Sequence, residues 1–132
     1  MKLELLKDLS EGGKYKNVSS ENLVRLYDFD KAETERLIQL IVEYLIENSQ
    51  SLQLSSLNFI ESLNCNLLLK ISNKDEGIIA TEKADTLICS LTTDSYQAMV
   101  EIMIKVSENG FNWLCDTSID DIDFLYSKGG TW

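Results

Sequence analysis

The hydrophobic pattern of this chain changes its period several times, and each change predicts an element. Asn22 to Phe29 sets Leu23, Arg25 and Tyr27 against Val24, Leu26 and Asp28, a two-residue alternation with β-branched and aromatic content that predicts a strand. From Asp30 the repeat becomes helical: Leu37, Ile38, Leu40, Ile41, Tyr44 and Leu45 fall on one stripe, while Glu33, Glu35, Glu43 and Glu47 stay off it. Asp30 followed three residues later by Glu33 is an acidic capping box, so a helix is expected from Asp30 to about Asn48. Such a stripe must be buried, which is worth about 1.5–3 kcal/mol for each large aliphatic side chain.

Strand patterns dominate the middle of the chain. Leu52 to Ile60 carries Leu52, Leu54, Leu57 and Phe59, with a bend or bulge expected at Ser55-Ser56. Cys65, Leu67, Leu69 and Ile71 alternate with Asn66, Leu68, Lys70 and Ser72. Asn73 to Gly77 has turn chemistry, and Gly77 to Thr81 is expected to return as the second arm of a hairpin. Leu87, Cys89 and Leu91 mark a further strand. A second helix should begin at Thr92 or Thr93, present Tyr96, Val100, Met103 and Ile104, and stop at Gly110. Phe111 to Cys115 and Ile122 to Tyr126 then read as two closing strands. The weakly patterned residues 1–20, broken at Gly12-Gly13, are expected as a short element and a loosely ordered arm.

This order predicts one α+β domain over residues 1–132, a mostly antiparallel sheet with two helices packed on one face. The length, 132 residues, suits a single core. No window reaches the ~18 uninterrupted apolar residues of a spanning helix, and Glu4, Asp8 and Glu11 interrupt any secretory signal, so a cytoplasmic protein without membrane contact is expected.

Composition narrows the chemistry. The chain has no histidine, which removes the usual general base and the usual partner of a nucleophilic serine or cysteine. Cys65, Cys89 and Cys115 are widely spaced, and the first two share strand parity with leucines, so buried thiols are expected rather than disulfides, nucleophiles or zinc ligands. No phosphate-binding glycine loop occurs. No catalytic residue and no cofactor is therefore predicted, and the chain is not expected to be an enzyme.

Twenty-two acidic residues against twelve basic ones give a net charge of −10, which makes nucleic acid a poor partner and a basic protein a good one. Between Val106 and Ser127 stand five acidic residues and no lysine or arginine. The run Asp116 to Asp123 supplies four aspartates, Asp116, Asp120, Asp121 and Asp123, but lacks the alternating start and the closing glutamate of a calcium loop, so no metal site is assigned to it. Five of the eleven aromatic residues, Phe111, Trp113, Phe124, Tyr126 and Trp132, lie in the last 22 positions beside those acids. Aromatic anchors flanked by acids suit capture of a basic surface, which nominates Trp113, Asp116, Asp120, Asp121, Asp123, Tyr126 and Trp132 as partner-binding residues.

In general character, though in no single motif, the chain is similar to bacterial immunity proteins, which are small, often acidic and block a toxin by occupying its basic site. The resemblance implies an inhibitory protein-interaction module. Two other readings stay open: an accessory domain binding a metal or small molecule in a cleft between helix and sheet, and a structural subunit or homodimer covering Tyr44, Leu57 or Trp113.

Overall fold

The computed structural model describes residues 1–9, 22–106, 110–115 and 119–132. Among them are two mixed β-sheets and two helices, so the α+β class holds, but the strands form two sheets rather than one. The first sheet takes strands from both ends of the chain: β1 (Lys2–Leu6), β2 (Asn22–Tyr27), β4 (Glu61–Ser62), β8 (Phe111–Cys115) and β9 (Ile122–Ser127), in the spatial order β4-β1-β2-β9-β8. The second contains β3 (Leu52–Gln53), β5 (Asn66–Ile71), β6 (Gly77–Ala80) and β7 (Thr86–Leu91), in the order β3-β5-β7-β6. β1 is the short element expected near the start of the chain, and it is a core strand with Met1, Leu3 and Leu5 buried; residues 10–20 of the loosely ordered arm expected after it lie outside the described residues.

Helix α1 (Lys31–Leu40) starts as its sequence dictates. Asp30 accepts from the Glu33 amide at 2.8 Å, and the Glu33 carboxylate accepts from the Asp30 amide at 3.0 Å, so two amides that the helix leaves unpaired are satisfied reciprocally. At Ile41 the bonding widens, and Ile41–Glu47 continues in π-helical turns with Ile41 and Leu45 still turned inward. The second helix, α2 (Thr93–Val106), buries Tyr96, Met99, Met103 and Val106. The helix is described to Val106; residues 107–109 lie outside the described ones, and Gly110, the expected stop, has φ of 81°, the left-handed setting common just past a helix end. Both helices and both sheets contribute to one continuous apolar core.

The expected hairpin is corrected. β6 does not pair with β5; it pairs antiparallel with β7, while β5 lies parallel to β7 on the other side. The tight turn is residues 81–85, where the Thr81 hydroxyl donates to the Thr86 carbonyl at 2.6 Å. Residues 72–76 instead cross the end of β7, tied to it by Ser72 N–H to Leu91 O and Glu76 N–H to Ser90 O, each at 2.9 Å. Gly77 follows with φ of 74°, a backbone setting that glycine adopts without cost. The segment Leu52 to Ile60 yields only β3 before the 3-10 turn Leu54–Ser56, at the predicted bend.

Candidate functional site

The crossover of residues 72–76 has a local result: it delivers Asp75 to the start of α2. The Asp75 carboxylate accepts from the Thr92 amide at 2.9 Å and the Thr92 hydroxyl at 3.0 Å. These bonds, the Thr92 backbone amide first, hold the carboxyl below the ordinary aspartate range, so it carries its charge at the helix N-terminus, where a negative charge is favoured.

From Asp75 a groove of about 420 Å³ runs between α2 and β8. One wall is the α2 face of Ser95, Ala98 and Ile102; the other is four consecutive residues of β8, Asn112, Trp113, Leu114 and Cys115; Leu91 lies at the β7 end. Cys115 is half-buried here, and behind it the fully buried Cys89 shares a thiol hydrogen bond with it. That bond, followed by burial, pushes the Cys89 thiol well above its ordinary range. Beneath, the Tyr96 hydroxyl donates to the carbonyls of Lys70 and Cys89, each at 2.9 Å. Leu114 is the residue that the register skips between Trp113 and Cys115, and this bulge turns it into the core.

On the outer face of the first sheet, away from the helices, a row runs Glu4, Arg25, Leu125, Trp113 across four strands. Phe111 and Trp113 meet edge to face at 6.4 Å, and Trp132 lies 6.4 Å from Trp113, tilted by 59°. Phe111 and Trp132 are each 46% exposed. The chain end is anchored: Arg25 donates to the Gly130 carbonyl at 2.6 Å, and Ser127 Oγ donates to the Thr131 carbonyl at 2.6 Å. Gly130 has φ of 80°, and a Cβ there would lie 2.9 Å from Arg25 Nη1 and 3.1 Å from the Tyr27 ring, so only glycine fits.

Of the nominated residues, Trp113 and Trp132 are brought together, and Asp121 is exposed with φ of 54°. Asp120 is exposed but employed, its carboxylate accepting from the Ala80 amide at 2.8 Å and so joining the two sheets. Asp123 is half-buried on β9, and Asp116 lies outside the described residues. Tyr126 is a correction: it is fully buried, stacked on Phe29 at 4.2 Å, with its hydroxyl bonded to that of Thr34, and it presents nothing to a partner. The buried thiols of Cys65 and Cys89 agree with the reading of the sequence.

Asp75, Phe111 and Cys115 were missed as site residues. Phe111 carried a signal, its place among the C-terminal aromatics; Asp75 read only as a turn residue, and nothing in the spacing joins Cys89 to Cys115. Among the described residues no group of three or more cysteine, aspartate or glutamate side chains could hold a metal ion, and no helix is long and apolar enough to cross a membrane. Compared with known proteins, the sequence matches no family model and no curated protein.

Proposed function

We propose that this protein is a small acidic interaction module that binds, and by covering it blocks, a basic protein partner. One observation carries the reading: the exposed Phe111 and Trp132 form an aromatic cluster around the half-buried Trp113, held in place by the anchored chain end, on a chain of net charge −10. Aromatic side chains supply contact area with little loss of rotamer freedom, and surrounding negative charge accelerates encounter with a cationic surface. Among the described residues, Asp121 at the turn before β9 is an exposed acid near that cluster in sequence. The groove of about 420 Å³ favours a second reading, a small-molecule accessory domain, since that volume is within the range of ligand pockets.

The test is affinity capture from a lysate of the native host with wild-type chain, Phe111→Ala, Trp132→Ala and Asp121→Lys side by side. The reading expects one basic protein retained near one-to-one, released by salt, lost from the two alanine variants, and captured more slowly by Asp121→Lys. Retention equal in all four puts the contact elsewhere. Retention of nothing, together with thermal stabilisation by a small-molecule panel, favours the second reading.

A further inference from the structure

We infer that the edge of β8, unpaired among the described residues, is a strand-addition site, at which an extended basic segment of the partner pairs with the sheet and lies in the groove against α2. The inference deepens the interaction reading and rests on it.

Unpaired sheet edges are normally blunted, and three of the four described here are. β3 and β4 are two residues long. β6 has its Ala80 amide occupied by Asp120 and its neighbouring Glu76 carbonyl occupied by the Ile119 amide at 3.1 Å. The remaining edge is β8, five residues long and last in the order β4-β1-β2-β9-β8.

The ladder shows which groups face outward. Lys128 N–H bonds Gly110 O, and register places Asn112 opposite Tyr126, so even-numbered residues turn their backbone groups to β9 and Phe111 and Trp113 turn theirs to the edge. The Trp113 amide confirms the direction: it donates at 2.8 Å to the side chain of its own neighbour, Asn112. That exposed side chain is a plug, and an incoming strand would replace it with a carbonyl.

The groove beside this edge has the shape of a strand. Asn112 to Cys115 on β8 span about 10 Å, and Ser95 to Ile102 on α2 about 10 Å, so the two walls are of similar length. Its lining is apolar at Leu91, Leu114 and Ile102, and its end is the ionised Asp75; Asp94 and Glu101 are exposed on α2, one position round from the Ser95-Ala98-Ile102 face. Among the described residues no lysine or arginine lines it. The occupant is therefore an extended segment that alternates aliphatic and cationic side chains, backbone pairing giving affinity and the acids selecting charge.

The probe is a peptide alternating lysine and valine, long enough to cover β8, compared with its lysine-to-glutamate counterpart and with a version carrying a central proline. Strand addition expects the lysine peptide alone to bind, with slowed hydrogen exchange at the Phe111 and Trp113 amides. Asn112→Ala should tighten binding by roughly threefold to tenfold, the worth of one exchanged hydrogen bond, and Ala98→Trp, at an exposed helix position, should abolish it by filling the groove. Binding without protection of those two amides, or insensitive to Ala98→Trp, overturns strand addition while leaving the interaction reading intact. So does failure of the peptide to bind when a basic protein is captured from lysate; failure of both experiments overturns both readings.

Discussion

Arg25 on β2 donates a 2.6 Å hydrogen bond from Nη1 to the carbonyl oxygen of Gly130, and that bond fixes where Trp132 comes to rest. The same guanidinium pairs through Nε with Glu4 at 2.8 Å and lies over the Tyr27 ring at 4.1 Å, so one cation organises the outer face of the first sheet. Arg25→Ala should cost about 1.5–3 kcal/mol, the range for hydrogen bonds involving a charged group. It should also release Trp132 from Trp113, seen as a red shift of tryptophan emission in the folded protein. An unchanged spectrum would mean that the Ser127–Thr131 bond and the contact of the two rings hold the chain end without Arg25.

The capping box at α1 makes a second, independent prediction. Asp30→Ala leaves the Glu33 amide without its partner and should lower stability by about 1 kcal/mol in denaturant melts. Asp30→Ser keeps the capping oxygen and should recover most of that loss. Equal losses in both variants would assign the effect to charge at the helix start rather than to the cap.

Asp30 and Glu33 were legible because a cap is a local device, written within four residues. Pairing was not legible: β5 and β7 lie parallel because β6 crosses over, a choice made by contacts between segments far apart in sequence. Tyr126 was misread for a related reason. On β9 the residues from Phe124 to Ser127 are all buried, so alternation gives no direction, and only pairing with β2 sets Tyr126 beside Leu26 and over Phe29. The aromatic cluster was half legible, its composition visible in the sequence and its membership decided by register. The groove was not, since Asp75, Ser95 and Asn112 come from three separate elements.

Ser90 is fully buried on β7, and its hydroxyl has no hydrogen-bond partner among the described residues. A buried polar atom left unsatisfied costs about 1–3 kcal/mol in desolvation. Ser90→Ala removes the oxygen at almost constant shape, so stability should stay level or rise by up to about 1 kcal/mol. A loss larger than that in a denaturant melt would show that the hydroxyl is satisfied in solution.

Alkaline pH should unfold the protein from the Cys65 side. Burial, with the negative charges of Asp85 and Glu4, pushes the Cys65 thiol from 9.0 up to about 11. Between those values the folded state holds a proton that the unfolded chain has lost, so stability is complete below pH 9 and falls as pH rises. The loss amounts to about 3 kcal/mol, at 1.36 kcal/mol for each pH unit. Tyr96 and Tyr126, both raised above 10.0 chiefly by burial, steepen the decline at still higher pH. Cys65→Ala should lessen the loss of stability above pH 9; an undiminished loss would assign the alkaline limb to Cys89, whose thiol is also raised, and to the tyrosines.

The three cysteines should separate by reactivity in the native protein. Cys65 and Cys89 are buried and their thiols are held protonated, whereas Cys115 is half-buried and lines the groove. Iodoacetamide at neutral pH should therefore modify Cys115 first, with Cys65 and Cys89 reacting only after unfolding, as read by peptide mapping. Because Cys115 stands in the β8 wall, the lysine and valine peptide should slow its alkylation while leaving the reaction of the unfolded protein unchanged. Alkylation of Cys115 at an undiminished rate in the presence of saturating peptide would place the peptide outside the groove, on the aromatic face formed by Phe111, Trp113 and Trp132.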